Sequence, residues 1–249
     1  MNKLKVFFFL LIFNFASINA QIKSGEIVYK VVFQVDSVLI KKSDRLSQMY
    51  DLAIKSSDRI SQKLIFNQKI SRFELVDLIE DEGVKMAIAW CNCNKVFYED
   101  LDKKTKFFNN ANDNNGIFKA NEFVVIDSLN LNWNITKESK NIENLKCYKA
   151  TQIIKYKNSK GIFNKTVVAW FTPEIPFSFG PKGYGGLPGL ILELHDKNII
   201  YGVHKIKLSE DAITISLPIN GEIVTNDEYE NILKERYQKR TETIENNKN

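Results

Sequence analysis

The stretch FGPKGYGGLPGLILEL, Phe179 to Leu194, decides how the rest of this chain is read. Five glycines and two prolines give way to a run of leucine and isoleucine. Glycine permits positive φ and close backbone approach. Pro188-Gly189 suits the central pair of a type II turn, and Leu187, just before proline, should be extended. The segment therefore reads as a tight loop that delivers the chain into a buried strand. A phosphate-cradling loop is excluded. Pro188 stands where G-x-G-x-x-G needs its third glycine, no G-K-[ST] occurs, and a strand follows instead of a helix.

Downstream, Leu190–His195 and Ile199–Leu208 form a hairpin around Lys197-Asn198. With a two-residue turn, Leu190, Leu192 and Leu194 share the core face with Ile199, Tyr201 and Val203. Glu193 and His195 share the opposite face with Ile200 and His204. His195 then faces Ile200, four residues from His204, so the two imidazoles cannot share one zinc ion. Upstream, Phe163–Thr172 pairs with Leu145–Tyr156 through a turn at Asn158–Gly161. Short runs rich in Val, Ile, Phe and Tyr predict further strands at Glu26–Val35, Lys63–Asn67, Ile70–Leu78, Val84–Cys93, Lys95–Asp100, Thr105–Asn109, Glu122–Asp127, Asn132–Thr136 and Ile213–Leu217. The ANDNNG run at Ala111–Gly116 is a loop.

Two helices interrupt this pattern. Ser43 is a candidate N-cap for a helix to about Ser57, with Leu46, Met49, Tyr50 and Ala53 on one stripe. Thr225 and Glu228 spell a capping box that opens a closing helix, whose stripe is Tyr229, Ile232, Leu233 and Tyr237. The expected fold is a β-rich α+β domain. Its antiparallel sheet is strongly curved or half-barrel, with one helix in the N-terminal half and one at the C-terminus. No linker, repeat or composition break divides residues 21–249, so one domain is expected.

The N-terminus carries an export signal. Lys3 and Lys5 precede the apolar run Val6–Phe15, which is too short to span a bilayer, and the small residues after it place cleavage between Ala20 and Gln21. No cysteine follows for a lipid anchor, and no later segment is apolar enough to span a membrane. The product is expected in the periplasm or outside the cell. Cleavage removes two lysines and no acidic residue, taking the formal net charge from +5 to +3. The lysines are scattered and no basic patch interleaves with aromatics, so nucleic-acid binding has no support and is not expected.

Three cysteines, Cys91, Cys93 and Cys147, give an odd count for an oxidising compartment. Cys91 and Cys93, read as same-face neighbours on a strand, are poorly placed to bond each other. A bond from one of them to Cys147 is expected. No metal set is visible, since two thiolates need further ligands.

The hexapeptide Gly186-Leu187-Pro188-Gly189-Leu190-Ile191 resembles the signature of the GLPGLI family of Bacteroidota-type exported proteins. Trp133-Asn134-Ile135, Cys147-Tyr148-Lys149-Ala150, the run Ala169 to Pro176, and Gly180-Pro181 are similar to that family's ordered landmarks across roughly residues 130 to 195. Asn144-Leu145 departs from the Gly-Tyr pair expected there. The resemblance implies an exported envelope or accessory protein of unsettled biochemical role. By analogy with lipoprotein-carrier folds, the sheet would be an open half-barrel.

Two function classes follow. One is a binding or accessory protein, without evident catalytic chemistry or cofactor, taking an apolar ligand or an envelope protein on the concave face or at the Gly183–Gly189 loop. Candidate binding residues are Trp170, Tyr184, Glu193 and His195. The other is a hydrolase-like enzyme assembled around Glu193, His195, Asp196 and Glu174, residues that read equally as surface charge beside a turn. Asp36-Ser37-Val38 and Asp127-Ser128-Leu129 match the Asp-Ser/Thr-aliphatic O-glycosylation pattern at Ser37 and Ser128.

Overall fold

Segments rich in β-branched and aromatic residues join one twelve-stranded sheet in the computed structural model. The structure describes residues 22–34, 43–110, 117–158, 161–217 and 220–246. The expected signal segment, Ser37 and residues 111–116, expected as a loop, lie outside the described residues. The strands are β1 (Ser24–Phe33), β2 (Ser61–Asn67), β3 (Ile70–Leu75), β4 (Lys95–Asp100), β5 (Thr105–Asn110), β6 (Phe123–Ser128), β7 (Asn134–Ile142), β8 (Leu145–Asn158), β9 (Gly161–Thr172), β10 (Leu190–Asp196), β11 (Ile199–Ser209) and β12 (Glu222–Thr225). The helices are α1 (Asp44–Ser56), α2 (Glu82–Cys91) and α3 (Asn226–Asn246).

Sheet order is β12-β6-β5-β4-β3-β2-β1-β11-β10-β9-β8-β7. Every pairing is antiparallel except β12 with β6. The end strands β12 and β7 each have one neighbour, so the sheet is open. It is also strongly curved. Strands β5 and β9 stand seven positions apart in the order, roughly 34 Å in a flat sheet. Yet Lys106 of β5 and Lys165 of β9 line one cavity. The concave side holds the main core, with Ile27, Tyr29, Leu64, Phe66, Leu194 and Tyr201 all fully buried. Burying each such side chain stabilises the fold by about 1.5–3 kcal/mol.

Helix α1 forms as expected. Leu46 N–H donates to the Ser43 hydroxyl at 3.2 Å, and Tyr50 and Ala53 face the core. Segment Val84–Cys93 is not a strand. Val84, Ala87, Ile88 and Cys91 repeat at helical spacing and are all buried, and the Asp81 carboxylate caps Val84 N–H at 2.9 Å. Among the described residues the N-terminal half thus has two helices, not one. Ile213–Leu217 forms no strand, and the pairing strand near the C-terminus is β12. The capping box holds: Thr225 N–H donates to Glu228 at 2.7 Å, and Glu228 N–H to the Thr225 hydroxyl at 3.3 Å. Tyr229, Ile232 and Leu233 then pack on Phe118, Phe123 and Val125.

The α2 helix changes the cysteine reading. Asn92 takes a left-handed conformation at its end (φ 55°), which turns the chain back and brings Cys91 and Cys93 into a disulfide with Cα atoms 5.1 Å apart. On a strand these sulfurs would stand too far apart; at a helix C-cap they do not. Cys147 is free and buried, so the expected bond to it is not formed. Burial pushes its thiol up to about 11.

Both hairpins of the C-terminal half have their expected turns. Asp196 pairs with Ile199 across Lys197-Asn198, and His195 with Ile200. A bulge at Leu192 shifts the core face, so that Leu190, Ile191 and Leu192 are all buried. A second irregularity, where Val28 pairs with Lys205 and Tyr29 with Val203, leaves His204 exposed and away from His195. The β7–β8 turn is Glu143-Asn144, both at positive φ. Asn144 (φ 62°) supplies the left-handed conformation that such a two-residue turn requires and that asparagine tolerates.

Candidate functional site

The glycine-rich segment is a buried, pinned loop. Gly186 N–H donates to Ser178, Leu190 N–H to Ile175 and Ile191 N–H to Phe179, while the Trp133 indole donates to the Gly185 carbonyl at 2.9 Å. Phe177 and Phe179 pack on Phe66, and Leu187 is buried. Pro188-Gly189 does not close the expected type II turn. Gly189 N–H donates to the Leu187 carbonyl, two residues back, and Leu190 N–H leaves for Ile175. Gly189 sits at φ +153° with the Thr172 carbonyl 2.1 Å from where a Cβ would be, so only glycine fits. At Gly185 the obstacle is the carboxylate of Glu99, 2.0 Å from such a Cβ.

This loop walls a cleft of about 210 Å³ on the concave side. Strand β4 supplies Lys95 and Phe97, β5 supplies Lys106 and Phe108, and β6 supplies Asp127. Lys165 of β9 and Asp196 of β10 face them, with Lys182 and Tyr184 from the loop. Asn92 and Asn226, from the ends of α2 and α3, complete the rim. The pleat explains the set. Lys165 alternates with Val167, Ala169 and Phe171, and Asp196 with Leu194, so both charges project from a core-facing row.

At its centre is Asp196, almost fully buried. It accepts from Lys165 at 2.6 Å and from the Tyr184 hydroxyl at 3.3 Å, with the Lys182 ammonium at 3.6 Å. Burial alone would raise its carboxyl, but Lys182 and Lys165 outweigh that and hold it below the usual range. Burial lowers both lysines and pushes the Tyr184 phenol well above its ordinary value. Lys182 has a left-handed backbone (φ 57°) and also donates to the Cys91 carbonyl at 3.4 Å, at the end of α2. A cation there complements the helix dipole. Lys95 lies over the Phe108 ring at 3.9 Å, and burial together with Lys182 lowers it to about 8.

Beneath the loop lies Glu99, 1% exposed, with neither carboxyl oxygen hydrogen-bonded. Burial raises it to about 8; Lys106, the Gly180 N–H and the Ser71 hydroxyl pull the other way without reaching hydrogen-bond geometry. At pH 7 it is mostly a neutral acid.

The residues singled out in the sequence separate onto two faces. Tyr184 lines the cleft. Glu193, His195 and Trp170 meet on the opposite face of β9 and β10. Glu193 accepts from Lys140 at 2.7 and 2.8 Å and meets His195 Nε2 at 2.5 Å, and Lys140 lies 4.5 Å over the Trp170 ring. These contacts, first among them that with His195, hold the Glu193 carboxyl below its usual range. None of these residues lines the cleft. Glu174 accepts from Lys146 N–H at 2.8 Å and serves the β7–β8 end. Gly186–Ile191 belong to the loop and core and do not line the cleft. Lys95, Lys106, Lys165 and Lys182 escaped the sequence reading because lysine reads as surface. Lys165 on an apolar strand row and Lys182 inside the glycine loop were the available signals. Among the described residues no group of His, Cys, Asp and Glu is arranged to hold a metal, and no helix is long and apolar enough to cross a membrane.

Residues 160–193, from the β8–β9 turn through the glycine loop, match a family model described as "Protein of unknown function (Porph_ging)". No curated protein matches the chain. In fold the chain is similar to two solved structures of PNGF-II, from different space groups. The first has a TM-score of 0.51 and 15% identity, covering 86% of this chain and 34% of that one. The second has a TM-score of 0.48 and 13% identity, covering 86% and 33%. The chain thus spans about a third of the PNGF-II length, and the likeness is one of β-rich fold alone.

Proposed function

We propose that this chain is an exported, envelope-associated binding or accessory protein of the GLPGLI type, holding its ligand in the concave cleft. The observation that carries this reading is the composition of the cleft wall. It joins the two halves of the sheet and a pinned glycine loop around charged and aromatic groups, yet includes no serine, threonine, cysteine or histidine. That set can grip a ligand but offers no serine, threonine or cysteine nucleophile beside a histidine, and the Tyr184 hydroxyl is engaged by Asp196 and Lys165, with burial pushing its phenol well above its ordinary value. An apolar ligand fits less well, because four lysines and two aspartates line the space.

The hydrolase-like alternative rests on Glu193 and His195, which do meet each other and Lys140. It has less support, since that trio lies across the sheet from the cleft. Native purification from the envelope fraction, with mass spectrometry of what co-purifies, tests the reading. The expected result is a chain beginning at Gln21 with a bound small molecule, released on unfolding. A chain that retains residues 1–20, or an empty and partner-free monomer, overturns it.

A further inference from the structure

The cleft is not electrically balanced. Lys165 and Lys182 share the single carboxylate of Asp196, and Lys106 has Asp127 at 3.5 Å. Lys95 has no carboxylate within ion-pair distance among the described residues and rests on the rings of Phe108 and Tyr229. The lining therefore carries four ammonium groups against two carboxylates. Glu99, behind the loop, adds little negative charge at neutral pH. Like charges brought together in a partly enclosed, low-dielectric space repel and are costly unless an anion joins them. At Lys95 burial and then Lys182 disfavour the ammonium, and Glu230 favours it more weakly.

The β4–β5 wall that carries Lys95 and Lys106 is also aromatic. The rings of Phe97 and Phe108 lie 5.7 Å apart and tilted by 46° beside Lys95, and Tyr184 lines the same space. Asn226, the first residue of α3, also lines the cleft, and Asp227 and Glu228 in the same turn offset the positive end of the helix dipole. A ligand that satisfies both kinds of group has an oxyanion for the lysines and a flat or apolar body for the rings. A free volume of about 210 Å³ admits a body of one ring.

From this we infer that the cleft takes a small organic oxyanion, with Lys95 as its main charge contact and the Phe97–Phe108 wall against its apolar part. This rests on the reading of the cleft as the ligand site, and names the ligand's class.

The test is an NMR titration of the natively purified protein, after removal of any bound ligand, with three probes: benzoate, benzamide and inorganic phosphate. Benzamide has the same ring without the charge, and phosphate has the charge without a ring. Benzoate should shift cleft resonances saturably and bind at least about tenfold tighter than either of the others. Lys95→Met keeps the apolar stem on Phe108 and should weaken benzoate about tenfold or more. Lys95→Arg should retain it, and Lys140→Met on the far face should leave it unchanged. Should Lys95→Met fail to fold, Lys106→Met removes charge from the same wall and should weaken benzoate in the same direction.

Equal binding of benzoate and benzamide overturns the anion inference while leaving a ligand cleft in place. Phosphate binding as tightly as benzoate overturns the apolar half. Loss of benzoate binding in Lys140→Met overturns the location. If none of the probes perturbs the cleft, the inference fails. The binding reading itself stands or falls separately, on what co-purifies from the envelope.

Discussion

Glu193 and Asp196 stand three residues apart on β10 and point to opposite faces of the sheet. Outside, Glu193 meets Lys140 and His195, all three partly in water, with side-chain exposures of 21%, 36% and 29%. Inside, Asp196 is 8% exposed and gathers Lys165, Lys182 and Tyr184. The contacts are similar in length, but their energetic meaning differs. Partly solvated ion pairs contribute about 0–1 kcal/mol, whereas breaking a buried one leaves a charge without compensation at about 3–5 kcal/mol. One strand thus carries a dispensable cluster on one face and an indispensable one on the other.

The strongest way to break that comparison is Asp196→Ala. It leaves Lys165 and Lys182 facing each other without their carboxylate, and should cost about 3–5 kcal/mol. The loss would appear as a lower urea midpoint at unchanged slope. A cost below about 1 kcal/mol would put the inner cluster on the same footing as the outer one.

Glu99 extends the inner side of the comparison to pH. Its carboxyl titrates at 4.5 when exposed and at about 8 in the fold. Between those values the folded chain keeps a proton that the unfolded chain releases. Stability should therefore fall as pH rises from 4.5 to 8, by on the order of a few kcal/mol. Glu99→Gln, which stays neutral, should flatten that slope. Glu193 has the opposite sign: its folded value is lowered, so its contribution is present above 4.5 and is lost as pH falls through the depressed value. Unfolding midpoints from pH 4 to 9 in both variants separate the two. A wild-type stability that does not fall between pH 4.5 and 8, unaltered by Glu99→Gln, would show that Glu99 is hydrated in the fold.

How much of this was legible in the sequence follows from the physics of each element. The Lys197-Asn198 turn and the caps at Ser43 and Thr225 are local signals that formed, and period-two alternation marked most strands but not Ile213–Leu217, which alternates and has no partner strand. Val84–Cys93 failed because Val, Ile, Trp and Cys favour strands, while the spacing Val84, Ala87, Ile88, Cys91 and the Asp81 cap favour a helix. Burial of that stripe on Tyr50 and Ala53 of α1 settled the matter. The disulfide followed the helix. The site was less legible. His195 drew the eye as a titratable group beside the glycine loop, but one pleat position put it outside. The inward lysines come from β4, β5 and β9 and converge only because the sheet curves.

The glycine loop offers the next effect. Gly185→Ala drives a methyl group into the Glu99 carboxylate and the Ser178 carbonyl, the latter 2.6 Å away. Overpacking of this kind costs about 1–3 kcal/mol. Glu99→Ala in the same chain should recover part of the loss, because the side chain gives way and the carbonyl does not. Additive losses would mean that the two residues do not touch. Replacing Cys91 and Cys93 by serine should cost less, about 1.5 kcal/mol, because the bond closes only a three-residue loop. Native alkylation should label no cysteine, and unfolding without reductant should expose Cys147 alone. Labelling of Cys91 or Cys93 in the unfolded, unreduced chain would contradict the pairing.

The smallest effect is the one that defines the outer cluster. Glu193→Gln keeps shape and removes charge. Lys140 retains its place over the Trp170 ring, a contact contributing about 0.5–1 kcal/mol, so the net cost should stay within about 1 kcal/mol at low salt. At 1 M salt, where the Debye length is about 3 Å, that cost should shrink toward zero. The Asp196→Ala cost should persist there, because buried pairs are screened far less. The salt series therefore measures desolvation on each side of a single strand. If salt leaves the Glu193→Gln cost intact, the outer trio is as dry as the inner one. Glu193 and His195 would then regain standing as a second polar site, on the face of the sheet away from the cleft.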